Sequence, residues 1–274
     1  MAKLAMRLGR RHWLSLVALA ACAVAYVANV VLAEVRPGSI WSVGYGAAAL
    51  ALLVVAGAYG LRRRAMAVAS RRRAGSASAW LAVHVYGSAL FLLLVMMHSG
   101  FGLPTGWVTW WLWGLSLWTV ASGLVGLALQ RWIPRLLTSG LAVEVHYDRI
   151  PELVEELGQR AAKLAAASSE EVARLYERVV APELARPVRR MLYFFDITGG
   201  IQSKLREFRY LSRFLGSEQL EALAQLEQLY RTKLEIDAHY TLQQPLRWWL
   251  SLHLPAALLL AVFVILHLVS VFLY

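Results

Sequence analysis

The chain has 274 residues, 59% of them hydrophobic, with 11 tryptophans and a mean hydropathy of +0.52, more apolar than a water-soluble domain of this length requires. Its net charge is +11, but the surplus flanks apolar runs, where it marks membrane topology rather than nucleic acid as a partner. A single cysteine, Cys22, excludes an internal disulfide, a four-cysteine iron–sulfur cluster and covalent haem attachment through CxxCH.

Five apolar runs, Trp13 to Val31, Ile40 to Gly60, Trp80 to Met97, Val108 to Leu129 and Trp248 to Leu273, are each long enough to cross about 30 Å of hydrocarbon. The expected fold is therefore an all-α membrane protein with five transmembrane helices. The first run follows a basic segment, MAKLAMRLGRRH, and so also matches the layout of a signal peptide. Its apolar length of about 20 residues and the closeness of the second run favour a retained helix. Lys3, Arg7, Arg10 and Arg11 precede the first run, and Arg62, Arg63, Arg64, Arg71, Arg72 and Arg73 follow the second. By the positive-inside rule both flanks face the cytoplasm. Odd-numbered spans then run outward through an inner membrane, even-numbered spans return, and Tyr274 ends on the outer face.

Between the fourth and fifth spans lies a long insertion, Arg131 to Arg247, on the cytoplasmic side by the same count. Sixteen of the 17 acidic residues lie between Gln130 and Trp248 with 17 of the 28 Lys and Arg, so this stretch is nearly neutral at +1 and the rest of the chain carries +10. A connection this long is usually functional or disordered. Recurrent leucines, Tyr147, Tyr176, Tyr193, Phe194, Phe195, Tyr210 and Phe214, and charge of both signs favour a folded helical cap. In SSEEVARLYERVV, Ser169 predicts an N-cap with acids in the first turn; GSEQLEALAQLEQLYRTKLEI predicts a second amphipathic helix. Gly199 and Gly200 in FFDITGGIQSK read as a turn between helices. The cap contains no nucleotide-binding glycine loop, CxxC pair or GxSxG elbow. It is expected to rest partly on the membrane lipid, and to dock a redox partner or cover a quinone pocket.

Two spans carry paired histidines. His84 and His98 in LAVHVYGSALFLLLVMMHSG, and His253 and His267 in LSLHLPAALLLAVFVILHLVSVF, are both fourteen residues apart. Fourteen residues fall about 40° short of four whole helical turns and rise about 21 Å, so each pair points to one side of its helix with one histidine near each membrane surface. Imidazole is a common axial ligand of haem iron, and ionisable residues inside spans are functional by default. Spans three and five both run outward, which pairs His84 with His253 on the cytoplasmic side and His98 with His267 on the outer side. Two non-covalent b haems are the expected cofactors.

These four histidines resemble the ligands of the dihaem cytochrome b family, including the N-terminal four-helix haem bundle of the cytochrome b subunit of quinol–cytochrome c reductases. The resemblance covers the spans from about Ile40 to Tyr274, without the insertion. It implies an extra transmembrane helix over residues 1–35, bundle helices A to C over 36–130, the inserted helical cytoplasmic domain over 131–247 and helix D over 248–274. It also implies that glycines admit the haem faces, which points to Gly46 and Gly60, fourteen apart in span two, and to Gly114, Gly123 and Gly126 in span four. Small-residue packing of membrane helices is the competing explanation. The family's short link between helices C and D and its PEWY-type quinol-oxidation motif are both missing here. The implied role is a dihaem cytochrome b subunit passing electrons between quinone and the other subunits of a redox complex.

Haem propionates need cationic partners, and Arg131 and Arg247, at the inner ends of spans four and five, are candidates; membrane anchoring is the plainer reading of either arginine. Trp107, Trp110, Trp111, Trp113, Trp118, Trp248 and Trp249 suit aromatic belts. His146 and His239, at the two ends of the insertion, read as interfacial histidines. Two other functions fit part of the pattern. One is a transmembrane reductase resembling the ferric reductase and NADPH oxidase family, working with a separate flavoprotein. The other is a membrane scaffold whose haem is structural.

Overall fold

The computed structural model describes residues 2–33, 38–65, 76–138, 141 and 145–273. Arg71, Arg72, Arg73 and Tyr274, used above to orient the chain, lie outside the described residues. Among those described there is no strand. The protein is an all-α membrane protein with helices α1 (Ala2–Ala33), α2 (Ile40–Ala65), α3 (Ala77–His98), α4 (Trp107–Thr138), α5 (Ile150–Ala166), α6 (Glu170–Leu175), α7 (Ala181–Leu184), α8 (Ile197–Lys204), α9 (Arg206–Leu211) and α10 (Ser217–Leu273). Four of them, α2, α3, α4 and α10, are long and apolar enough to cross a membrane. In α10 the apolar part is the Trp248–Leu273 run. The expected fifth span falls in α1, whose apolar helical stretch is Leu16–Leu32, at the lower end of what a bilayer requires.

The chain divides into two compact units, Met1–Leu124 with His253–Tyr274, and Val125–Leu252. The first contains α1, α2 and α3 with α4 up to Leu124 and α10 from His253. Its small buried core draws Ala49 from α2, Phe91, Leu94 and Met97 from α3, Leu115 from α4 and Ala256 and Leu260 from α10, so four helices meet around one centre. Cys22 and Tyr26 of α1 pack on its edge. Asn29 of α1 also donates to the Tyr45 hydroxyl at 2.6 Å. Most other apolar side chains of these helices face outward, as expected where lipid is the solvent. Ser76 caps α3 by accepting from the Ala79 N–H at 3.2 Å. After His98 the chain turns through Gly100 and Phe101, both at positive φ (63° and 57°), and Tyr26 packs edge-on against the Phe101 ring.

The second unit contains the insertion and reaches past the expected 131–247 limits, to Val125 and Leu252; Leu129, before the expected start, packs against its core. Gly126 fits there for a specific reason: a Cβ at this position would overlap the Trp249 indole. The core is closed and aromatic. Tyr193, Phe208, Tyr230, Ile133, Ile150, Leu205, Leu226 and Leu234 are fully buried, and the rings of Phe208 and Tyr230 stack 5.7 Å apart. Ser169 stands at the N-cap of α6 with Glu170 and Glu171 in the first turn, and the leucine-rich segment begins α10. Gly199 and Gly200 do not form a turn between helices; they lie inside α8. Asp196 caps this helix by accepting from the Gly199 N–H at 2.7 Å, and a side chain at 199 would overlap that carboxylate. At 200 it would meet the Tyr193 ring at 2.8 Å, so both glycines serve close approach.

Charged groups are buried inside this unit. Lys233 donates to Asp237 at 2.7 Å, one helical turn away, and both are fully buried. Asp237 also accepts from the Val188 N–H at 2.9 Å, and Arg190 approaches it to 3.6 Å while pairing with Glu183, which accepts from Lys204 at 3.0 Å. Burial pushes the Lys233 ammonium down and the Asp237 carboxyl up, each opposed by its partner. For Glu183, burial raises the carboxyl but is outweighed by the Lys204 hydrogen bond and the charges of Arg190, Lys204 and Lys233, leaving it below its ordinary value.

Candidate functional site

The site is built in the membrane unit from α2, α3, α4 and α10. The rings of His84 on α3 and His253 on α10 lie 6.4 Å apart between centroids at 78°, and those of His98 and His267 lie 6.2 Å apart at 81°. The lower-numbered histidines of the two helices pair with each other, as do the higher-numbered ones, so α3 and α10 run parallel here.

Each ring of α3 is held by a backbone carbonyl of α2. His84 Nδ1 donates to the Ala56 carbonyl at 3.0 Å, and His98 Nδ1 to the Ser42 carbonyl at 2.8 Å. A carbonyl oxygen can only accept, so Nδ1 carries the proton in both rings and the lone pair is on Nε2. The Ser42 hydroxyl completes the clamp by donating to the His98 carbonyl at 2.8 Å. On α10, His253 Nδ1 lies 2.9 Å from the Ser122 hydroxyl of α4, and Tyr59 of α2 packs on the His84 ring with centroids 5.3 Å apart. Anchoring one imidazole nitrogen while leaving the other for a metal is the usual arrangement of a ligating histidine.

The two acceptor carbonyls are fourteen residues apart, like the histidines that they receive. Each lies four residues before a glycine, Gly46 or Gly60, in the register of an α-helical hydrogen bond. At Gly46 the need for glycine is direct, since a Cβ would come within 2.8 Å of the His98 Nδ1. At Gly60 and Gly114 a Cβ would meet nothing within 4 Å, and at Gly123 it would touch His253 at an ordinary 3.7 Å. Of the glycines singled out from sequence, Gly46 thus makes room for the His98 ring itself.

The arginines and tryptophans are placed differently. Arg131 is exposed on α4. Arg247 is engaged within its own unit, paired with Asp148 and lying 4.3 Å over the Tyr147 ring, because the short 3₁₀ turn Tyr147–Arg149 brings these groups to it. Trp111 stacks on Phe263 of α10 at 5.8 Å, and Trp107 meets the same ring edge-on. His239 is buried, accepting at Nδ1 from the Gln243 amide at 3.1 Å.

Two imidazoles sharing one metal ion, each with a metal–nitrogen distance of about 2 Å, have ring centres roughly 6 Å apart. Both pairs meet this spacing. Among the described residues there is no group of three or more His, Cys, Asp and Glu that would complete a metal shell from the protein alone. A two-imidazole donor set suits a macrocycle that brings its own four nitrogens. Comparison with protein-family models, with curated proteins and with solved structures gave no match.

Proposed function

We propose that this protein is a dihaem cytochrome b, the electron-transferring subunit of a membrane oxidoreductase complex that works between the quinone pool and partner redox subunits. The observation that carries the reading is the twofold repetition of one geometry: imidazole pairs 6.4 and 6.2 Å apart on parallel helices, with the α3 rings fixed by carbonyls in the tautomer that presents Nε2. His84 and His253 would hold one iron, and His98 and His267 the other. Bound haem supplies reversible one-electron chemistry at iron, with a potential set by its ligands and their hydrogen bonds.

The chain's own residues do the rest. The Ala56 and Ser42 carbonyls hold the Nδ1–H groups of His84 and His98, which fixes the ring orientation and aims Nε2, and Ser122 orients His253. Phe91, Leu94, Met97, Leu115 and Leu260, buried between the two levels, keep water out and favour changes of electron count without large solvent reorganisation. Fourteen residues of helix separate the pairs by about 21 Å, placing one toward each surface of a bilayer. The positive-inside rule puts the N-terminus and the insertion in the cytoplasm, the His84–His253 pair on that side of an inner membrane and the C-terminus outside.

The test is haem content by pyridine haemochrome assay on purified protein. His84→Ala and His98→Ala should each lose one of two b haems and keep the other, and quinol should reduce the unaltered protein. Unchanged haem content in both variants would remove the assignment.

A further inference from the structure

In the second unit the segment Arg186–Phe195 leaves unusual groups exposed. Met191 is 69%, Leu192 53% and Phe195 84% accessible, although the neighbouring Tyr193 is fully buried. Arg186 and Arg189 on the same segment are also exposed. A large apolar side chain left beside cations on a short 3₁₀ turn, Met191–Phe194, suits neither a water-facing loop nor a core.

Two contacts fix the level of this segment along the membrane helices. The Phe194 ring packs on Trp132 of α4 at 5.9 Å between centroids, and the Arg189 guanidinium lies 5.2 Å over the Trp248 ring of α10. Trp132 follows the last apolar residue of the fourth run, Leu129, by three positions, and Trp248 opens the fifth run. Both tryptophans therefore stand where a span meets the headgroups, the depth that indole rings favour. The segment is held at that depth from two helices at once.

We infer that Arg186–Phe195 is a membrane-interface wedge: Met191, Leu192 and Phe195 enter the acyl boundary of the bilayer while Arg186 and Arg189 bind anionic lipid phosphates. Apolar side chains beside Lys or Arg are the composition that holds interfacial segments on anionic leaflets, and each arginine near such a surface adds attraction that falls off within a Debye length. The inference requires only that α4 and α10 cross the membrane, and it is independent of haem.

The experiment places a nitroxide label in the full chain, in the Cys22→Ala background, by Phe195→Cys, with Glu218→Cys as reference. Glu218 is exposed on α10, thirty residues before Trp248, or about 45 Å along the helix. With the purified chain alone in nanodiscs containing phosphatidylglycerol, the ratio of oxygen to water-soluble nickel-chelate accessibility should be several-fold higher at 195 than at 218. Equal ratios would overturn the inference, and would do so whether the segment faces water or awaits a protein partner. Repeating the measurement in phosphatidylcholine reads the arginines: the label at 195 should move toward water, and an unchanged depth would remove Arg186 and Arg189 from the account. Haem content measured on the same samples keeps this result separate from the fate of the dihaem proposal.

Discussion

Each of the two units has its own kind of interior. The insertion encloses fully buried aromatic and aliphatic side chains around Tyr193, Phe208 and Tyr230 and also buries a charge network. The membrane unit buries few residues, several of them small, and turns its remaining apolar surface outward. Water drives the closed core of the insertion. In lipid that force is missing between helices, so packing and specific polar contacts must supply specificity. In the membrane unit those polar contacts are concentrated on the histidine rings, which is why its structure and its proposed chemistry depend on the same groups.

Substitutions in one unit should therefore leave the other's signature alone. The largest effect is expected from Phe208→Ala, which removes a fully buried ring stacked on Tyr230 and should cost the insertion about 3–5 kcal/mol. Urea-dependent proteolysis of the insertion measures this, and the haem spectrum should not change. Asp237→Ala strands Lys233 in the interior, at a cost of about 3 kcal/mol. Because a buried pair gains little over apolar replacements of like volume, the double change Lys233→Met with Asp237→Leu should recover most of that loss.

In the membrane unit, Ser122→Ala removes the hydrogen-bonding partner of His253 Nδ1 at 2.9 Å and should weaken haem retention at that pair roughly tenfold, as read by haem transfer to an acceptor protein. Gly46→Ala, which presses on the His98 ring, should alter the potential of one haem only. Gly60→Ala, with open space at its Cβ, should leave the His84 ring in place.

The smallest effect concerns pH. The Glu183 carboxyl is held below its ordinary 4.5 despite burial, by Lys204 and neighbouring charges. A depressed carboxyl contributes stability that is present above its unfolded value and lost as pH falls through the folded one. The insertion should weaken below about pH 4.5, and Glu183→Gln should flatten that part of the profile in an acid titration of stability.

The helical class, the apolar runs and the histidine pairs were legible because helix periodicity converts fourteen residues directly into a shared face. The ring anchors were not, since a backbone carbonyl leaves no mark in side-chain identity. The trace that existed was indirect: Gly46 and Gly60 repeat the histidine spacing, and each follows its acceptor carbonyl by four residues. Gly199 and Gly200 show the opposite failure. Their type suggests a turn, but the deciding fact is the Asp196 carboxylate and the Tyr193 ring that press on α8, and such contacts cannot be read from spacing. Arg247 was a propionate candidate by its depth, with membrane anchoring the plainer reading; its contact with Asp148, 99 residues away in sequence, could not be read from spacing.

The central claim is that both histidine pairs ligate haem through two imidazoles. Near-infrared magnetic circular dichroism of the oxidised, purified chain tests it most directly, with haem and protein quantified on the same sample. The account predicts two haems per chain, both with the low-spin charge-transfer band of bis-imidazole ligation. A folded chain recovered without haem from haem-replete cells, or haem lacking that band at both sites, would contradict it.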